Sequence, residues 1–206
     1  MSYFFDDALR MTIKTRLDGF ARESLHEGAL KRAAVAITLV PHDGGAGFLL
    51  TRRVAKMRAH AGQWALPGGR LDAGEGPVEA ALRELREEVA LDPGEAQVLG
   101  MLDDYPTRSG YLITPVVVWA AETEGMAPGA DEVASIHPFP LAELTRPDSP
   151  VFLTIPESDR PVIRLLLGDS HVHAPTAAVL HQFGEVGLAG RATRVAHMEQ
   201  PVWAWR

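Results

Sequence analysis

Apolar positions recur along this chain at helical spacing in some stretches and nearly without a break in others. Phe5, Leu9, Ile13, Leu17 and Phe20 fall three or four residues apart, which predicts an amphipathic helix over residues 4–23. It belongs to an N-terminal extension, residues 1–30, that packs on the body of the protein or forms a dimer contact. Residues 33–40 are almost continuously apolar and read as a buried strand, linked across His42–Gly47 to a second strand, residues 48–53, as a hairpin. Further strands are expected at 98–103, at 111–120, just after Asp131-Glu132, and at 161–167. From Ala174 onward, an early Pro175 followed by helically spaced apolar residues predicts a C-terminal helix reaching Leu188. Trp203 and Trp205 then pin the tail, residues 190–206, to the domain or to a partner, since exposed indoles are unfavourable.

The best-patterned helix runs from Pro77 to Val89. Proline suits a first helical turn, where a missing N–H costs nothing. Val78, Leu82, Leu85 and Val89 make one apolar stripe, whereas Glu84, Glu87 and Glu88 share another face. Three adjacent carboxylates repel unless a cation sits among them, and their hard oxygens are the donors that Mg²⁺ or Mn²⁺ selects. Taken alone, such a cluster reads as a solvated acidic face.

Composition narrows the options. The 206 residues carry a net charge of −7, which argues against a general nucleic-acid surface yet leaves room for a small anionic substrate held by local arginines. Without cysteine there are no disulfides or thiolate zinc sites, and a cytoplasmic location is expected. No apolar run is long enough to span a bilayer, and the acidic N-terminus is unlike a signal peptide, so no membrane association is expected. His171 and His173, two apart on an expected strand, share one face as a possible transition-metal pair without an evident third ligand.

Residues 69–91 resemble the Nudix box, G-x5-E-x7-R-E-U-x-E-E-x-G-U, where U is bulky and apolar. Gly69, Glu75, Arg83-Glu84, Leu85, Glu87-Glu88 and Leu91 match, and Ala90 stands where the pattern has glycine. That glycine closes a helix in a left-handed conformation, which alanine adopts at a cost of about 1 kcal/mol. The resemblance spans about residues 33–190 and implies a single-domain α/β fold, a Nudix-type α/β/α sandwich with a mixed sheet and a catalytic loop–helix–loop. It implies metal-assisted hydrolysis of a diphosphate, with Glu84, Glu87 and Glu88 as ligands of Mg²⁺ or Mn²⁺. Glu84 or Glu87 serves as general base, and Arg83 orients the carboxylates with Glu75 as its partner. Nudix enzymes often add an acidic group from further along the chain. Glu132 is the candidate here, ahead of Glu122 and Glu124.

The preceding stretch, Leu49–Gly69, resembles the signature of the coenzyme A diphosphatase branch, L-L-T-x-R-[SA]-x3-R-x3-G-x3-F-P-G-G. Leu49, Leu50, Thr51, Arg53, Arg58, Gly62, Pro67, Gly68 and Gly69 match, whereas Val54 and Leu66 replace a small residue and a phenylalanine. Arg52, Arg53, Lys56 and Arg58 form a cationic cluster suited to phosphate oxygens. Gly68 and Gly69 let the backbone approach phosphates. His60 is a possible ligand contact. Tyr105, Thr107, Ser109, Gly110, Thr114 and Pro115 also resemble residues of that branch, which makes Tyr105 a substrate-binding candidate. The implied substrate is coenzyme A or an acyl-coenzyme A. The alternatives are another nucleoside diphosphate derivative (ADP-ribose, a nucleotide sugar, a dinucleotide) and a ligand-sensing domain without catalysis.

Overall fold

The computed structural model describes residues 2–25, 28–54, 62–129 and 131–205. Eight strands form a mixed sheet: β1 (Lys31–His42), β2 (Gly45–Arg53), β3 (Trp64–Ala65), β4 (Gly68–Arg70), β5 (Val98–Met101), β6 (Tyr105–Pro106), β7 (Tyr111–Trp119) and β8 (Val133–Pro140). The order along the main path is β3-β2-β1-β7-β5, with β4 beside β1, β6 beside β7 and β8 beside β2. Among the described residues of this sheet only β1 and β7 run parallel, in register from Lys31 against Tyr111 to Leu39 against Trp119. The β1–β2 hairpin turns on Asp43 and Gly44, both at positive φ (45° and 73°), the conformation that Asp-Gly supplies in two-residue turns.

The near-continuous apolar character of β1 reflects burial on both sides. Ala34, Ala36 and Val40 belong to the apolar layer beneath helix α2 (Pro77–Val89), together with Ala80, Ala81, Leu82, Leu85 and Val89. Ile37 and Leu39 belong to the larger layer on the other face. Helices α1 (Asp7–Asp18) and α3 (Thr176–Phe183) close that side, α3 running on into a π-helical turn, Gly184–Leu188. A second, antiparallel sheet, β9 (Val151–Ile155), β10 (Ser158–Leu167) and β11 (Ser170–His173), contributes Ile163, Leu165, Leu167 and Val172 to the same core. Among the described residues no helix is long and apolar enough to cross a membrane.

Several elements differ from the expected boundaries for identifiable reasons. Helix α1 is shorter than residues 4–23 because the Asp6 side chain accepts the Leu9 N–H at 2.8 Å as N-cap, and Gly19 ends the last turn. It packs on the body of the protein through Ile13 and Leu17, and Phe5, ahead of the helix, stacks on Trp119. Strand β5 stops at Met101 because the next residues turn Asp103 and Asp104 inward. Asp103 accepts from the Glu23 N–H, Gln182 and Arg194, and Asp104 from the Leu25 N–H, Arg22 and Thr114. These buried carboxylates tie the N-terminal segment, α3 and the tail to one loop. Hairpin strand β9, with Phe152 and Leu153 exposed, lacked a readable core-facing pattern and was not expected.

At the end of α2, Ala90 sits at φ 57°, ψ 31°, in the left-handed region. Its N–H donates to the Arg86 carbonyl, the 5→1 bond of a left-handed helix ending, and the Leu91 N–H donates to the Leu85 carbonyl. The strain expected of alanine is therefore present in the fold. Ala90→Gly is expected to stabilise the protein by about 1 kcal/mol. Calorimetry should then show a melting temperature higher by about 2–4 °C, and an unchanged or lower value would refute the strain.

Candidate functional site

Two glycines bring β4 against both β1 and α2. A Cβ on Gly68 would lie 2.3 Å from the Ala34 carbonyl oxygen and 2.7 Å from the Val35 Cα, so β4 can pair with β1 only with glycine there. A Cβ on Gly69 would lie 2.0 Å from Glu84 Oε1, which means the Glu84 carboxylate rests against the Gly69 backbone. The Gly68 N–H donates to Glu88 Oε2 at 3.3 Å.

Arg83 organises the charges around α2. Its guanidinium donates to both oxygens of Glu75 (2.9 and 3.1 Å), to Glu84 Oε1 (2.8 Å), to Glu87 Oε2 (3.2 Å) and to the Arg70 carbonyl (3.0 Å). The Arg83 hydrogen bonds hold the Glu75 carboxyl below its usual range, and those of Glu75 and Glu84 drive the Arg83 pKa still higher. Burial raises the pKa of Glu84 against the pull of Arg83, with Glu87 and Glu132 adding repulsion. Glu88, only 5 % exposed, is pushed up to about 7, first by burial and then by the Glu84 charge; the Gly68 N–H and Arg53 offset part of this.

Glu132 stands across from the helix. Its carboxylate accepts from Arg53 Nη2 at 3.2 Å, its carbonyl from the Val54 N–H, and its charge is felt by both Glu84 and Glu88. Glu122 and Glu124 lie exposed on the 120–129 loop. That loop caps α2 instead: the Ala127 and Gly129 N–H groups donate to the Val89 and Glu88 carbonyls. The donor set fits an oxygen-preferring divalent cation, since a buried carboxylate with a raised pKa and two negative neighbours is stabilised by positive charge. As the side chains stand, no three acidic or imidazole groups among the described residues converge at ligand spacing. Arg83 takes one oxygen of Glu84 (Oε1) and one of Glu87 (Oε2), and the second oxygen of each remains a donor suited to an ion.

Beyond Gly68 the site opens outward. A small pocket of about 170 Å³, lined by Gly68, Leu66, Val35 and Val179, shares Arg53, Ala65, Ile113, Pro175 and Thr176 with a cleft of about 510 Å³. The cleft walls include Arg52, Trp64, Thr107, Ser109, Tyr111, His171, His173 and Trp203. The guanidinium of Arg52 lies 5.3 Å from the Trp64 ring centre, and Trp64 Nε1 donates to Ser170 Oγ at 2.9 Å, joining β3 to β11. The His171 and His173 rings lie 5.1 Å apart with edge to face, and Trp203 meets His173 the same way at 5.5 Å.

A NUDIX domain model matches residues 30–166. The chain belongs to the Nudix family. The Nudix hydrolase named NudL, uncharacterized, of Pectobacterium atrosepticum is 39% identical over 156 residues, covering 74% of this chain and 80% of that one. Its namesake in Citrobacter koseri is 41% identical over 117 residues, 56% of this chain and 60% of the other. A solved MutT/nudix family protein from Enterococcus faecalis superposes with a TM-score of 0.49 at 22% identity, covering 78% of this chain and 61% of that one. The sandwich of α2, mixed sheet, and α1 with α3 is the Nudix fold. As a member of this hydrolase family the protein is a pyrophosphohydrolase acting on a nucleoside diphosphate derivative, and Nudix hydrolases generally use divalent ions such as Mg²⁺ or Mn²⁺.

The structure gathers Arg83, Glu84, Glu87, Glu88, Glu132, Arg53, Gly68 and Gly69 into one region of this Nudix domain. Arg58, with Lys56 and His60, lies outside the described residues. Tyr105 requires a correction. It is 1 % exposed, its hydroxyl donates to the Met198 carbonyl at 2.9 Å, and burial raises its pKa, so it anchors the tail and presents no surface to a substrate. Thr114 is likewise buried on Asp104, whereas Thr107 and Ser109 reach the cleft. Trp203 does not pin the tail to the domain; it is 52 % exposed. The anchors are Tyr105, the Arg108–Glu199 ion pair and the Arg108 N–H bond to Gln200. Trp64 and Tyr111 were missed, although an aromatic residue three positions before a Pro-Gly-Gly turn was a usable signal for Trp64.

The two glycines give separable outcomes. Gly69→Ala should displace the Glu84 carboxylate without moving backbone and lower kcat by about 10²-fold, the scale of a 1 Å misplacement. Gly68→Ala meets backbone atoms and should lower the melting temperature. Equal melting losses in both variants would refute this division.

Glu88 generates a pH dependence. Below about pH 4.5 the carboxyl is protonated in folded and unfolded chains alike, so it costs the fold nothing. Between 4.5 and about 7 the unfolded chain releases a proton that the fold retains, so stability falls as pH rises; above 7 the loss is complete. In EDTA, the melting temperature of Glu88→Gln relative to wild type should therefore climb from pH 5 to pH 7.5 and level off. A difference independent of pH would refute the shift.

Proposed function

We propose that this enzyme hydrolyses the diphosphate of coenzyme A or an acyl-coenzyme A, releasing phosphopantetheine and adenosine 3′,5′-bisphosphate. The supporting observation is the place of Arg53. This residue of the Leu49–Gly69 signature donates to Glu132 beside the carboxylates and also lines both the small pocket and the large cleft. A diphosphate lying along Arg53 would put its phosphates near Glu84 and Glu88 and leave the rest of the molecule in the cleft.

Glu84, Glu87 and Glu88 would hold Mg²⁺ or Mn²⁺, with Glu132 opposite. When bound, the ion supplies neutralisation of phosphate charge and a more acidic water. Glu84 is the better base of the two proposed, because burial raises its affinity for a proton while the side chain of Glu87 is 59 % exposed. Arg83 positions it, taking the charge of Glu75 on one side and of Glu84 on the other. Arg53 is a fork suited to a phosphate oxygen, already held at one end by Glu132. The bare Gly69 backbone leaves the Glu84 carboxylate room to face the substrate.

The test is kcat/KM with Mg²⁺ and with Mn²⁺ for coenzyme A, 3′-dephospho-coenzyme A, ADP-ribose, NADH and nucleotide sugars. Coenzyme A should lead, and its 3′-phosphate should matter. Arg58→Ala should erase the preference over the dephospho form by about 10-fold or more, as loss of a charge-assisted bond requires, while dephospho-coenzyme A hydrolysis changes little. Preference for ADP-ribose, or equal rates on both coenzyme A forms, would overturn the coenzyme A assignment and leave the hydrolase intact.

A further inference from the structure

The family match ends at residue 166, yet half of the lining of the 510 Å³ cleft comes from later residues: 170–176 on β11 and the turn into α3, and Gln200, Trp203 and Ala204 in the tail. The matched domain supplies Arg52, Arg53 and Trp64 to the same cleft. Trp203 stands out among the later residues. More than half of it is exposed, an unfavourable state for an indole, and its recorded ring contact is the edge-to-face one with His173.

The chain around Trp203 is held firmly. Glu199 is buried, pairs with Arg108, and its N–H donates to the Pro161 carbonyl; Met198 receives the Tyr105 hydroxyl. Arg108 also lies over the Trp205 ring at 5.7 Å. Trp203 is thus an exposed aromatic face on an anchored segment, in a cleft continuous through Arg53 with the carboxylate site. Such a face loses little freedom when a flat ring stacks on it. Burial, with His171 and Arg164 nearby, depresses the His173 pKa to about 4, so that imidazole is neutral at pH 7 and adds an uncharged ring.

We infer that Trp203, backed by His173, is the stacking face for the adenine ring of the substrate, so that the segment beyond the Nudix match sets base affinity. The inference rests on the reading that the substrate is an adenosine diphosphate derivative, whether coenzyme A or another. A purine suits this wall better than an aliphatic arm does. It has a flat π face for the indole, and its ring nitrogens suit the hydroxyl, imidazole and amide groups of Ser170, His171 and Gln200 in the same lining.

Isothermal titration with Mg²⁺ present tests the assignment, using adenosine 3′,5′-bisphosphate, ADP-ribose and, as a base-less probe, inorganic pyrophosphate. Trp203→Ala should weaken both adenine ligands by about 10-fold and leave pyrophosphate unchanged, whereas Trp203→Phe should keep affinity within about 3-fold of wild type, as loss and retention of one base stack require. Melting temperatures near wild type in both variants check the fold. Equal binding of adenine ligands by wild type and Trp203→Ala overturns the stacking face, as does wild type that binds them no more tightly than pyrophosphate. If the adenine ligands show the loss while coenzyme A is not hydrolysed, the stack stands and only the coenzyme A assignment falls.

Discussion

Carboxylates crowded on one side of a half-buried helix are the central difficulty of this structure, and the guanidinium of Arg83 is its local answer. Glu75, Glu84 and Glu87 all accept from it, and so does the Arg70 carbonyl. One planar fork with five donors can satisfy such a set, whereas a lysine could not. By bonding Arg70 and Glu75, Arg83 also fixes both ends of the loop that leads from β4 into α2. Glu88, beyond its reach, shows the consequence of being left out. It is buried, it is repelled by its neighbours, and its pKa stands near 7.

Backbone proximity depends on the same arrangement. The carboxylate of Glu84 can sit under Arg83 only because Gly69 has no side chain, and β4 can bring Gly69 there only because Gly68 lets it pair closely with β1. On the far side, Ala34 and Ala36 of β1 lie beneath Ala80 and Ala81 of α2 in one apolar layer. Small residues let the helix approach the sheet, and that approach brings Glu84 and Glu88 to the strand. Gly129 repeats the device at the helix end, where a Cβ would lie 2.3 Å from the Glu87 carbonyl oxygen.

What was legible in the sequence follows from how local each feature is. The apolar stripe of α2, its acidic face, the Arg83–Glu75 pairing and the left-handed Ala90 all lie within about two dozen residues, where spacing determines geometry. Strands β1 and β7 were readable because burial on both faces leaves long apolar runs, whereas β3, β4 and β6, two or three residues each, are too short to show a pattern and were not expected. Tyr105 was misread because its partner, the Met198 carbonyl, lies 93 residues away and leaves no trace near it in the sequence. Strand β9 was missed because most of its side chains are exposed. The inward turn of Asp103 and Asp104 was equally hidden, since the residues that satisfy them come from near residues 22–25, 114, 182 and 194.

That division between local and distant residues also separates two parts of the site. The carboxylates and their arginine come from one loop and one helix of the matched domain. The cleft beside them is assembled from strands β2, β3, β7 and β11 and from a tail that returns to lie along β10, where Glu199 bridges to Val162. A buried carboxylate is costly to leave unpaired, so the bonds of Glu199 to Arg108 and of Asp103 to Arg194 constrain the tail more than its apolar content alone would. Burial pushes the Glu199 carboxyl up, yet Arg108 and the Gln200 N–H outweigh it and bring the pKa down to about 2, so the anchor stays ionised through neutral and mildly acidic pH. The segment carrying Trp203 is therefore anchored through Arg108 and Glu199, charges distinct from those that Arg83 balances on α2.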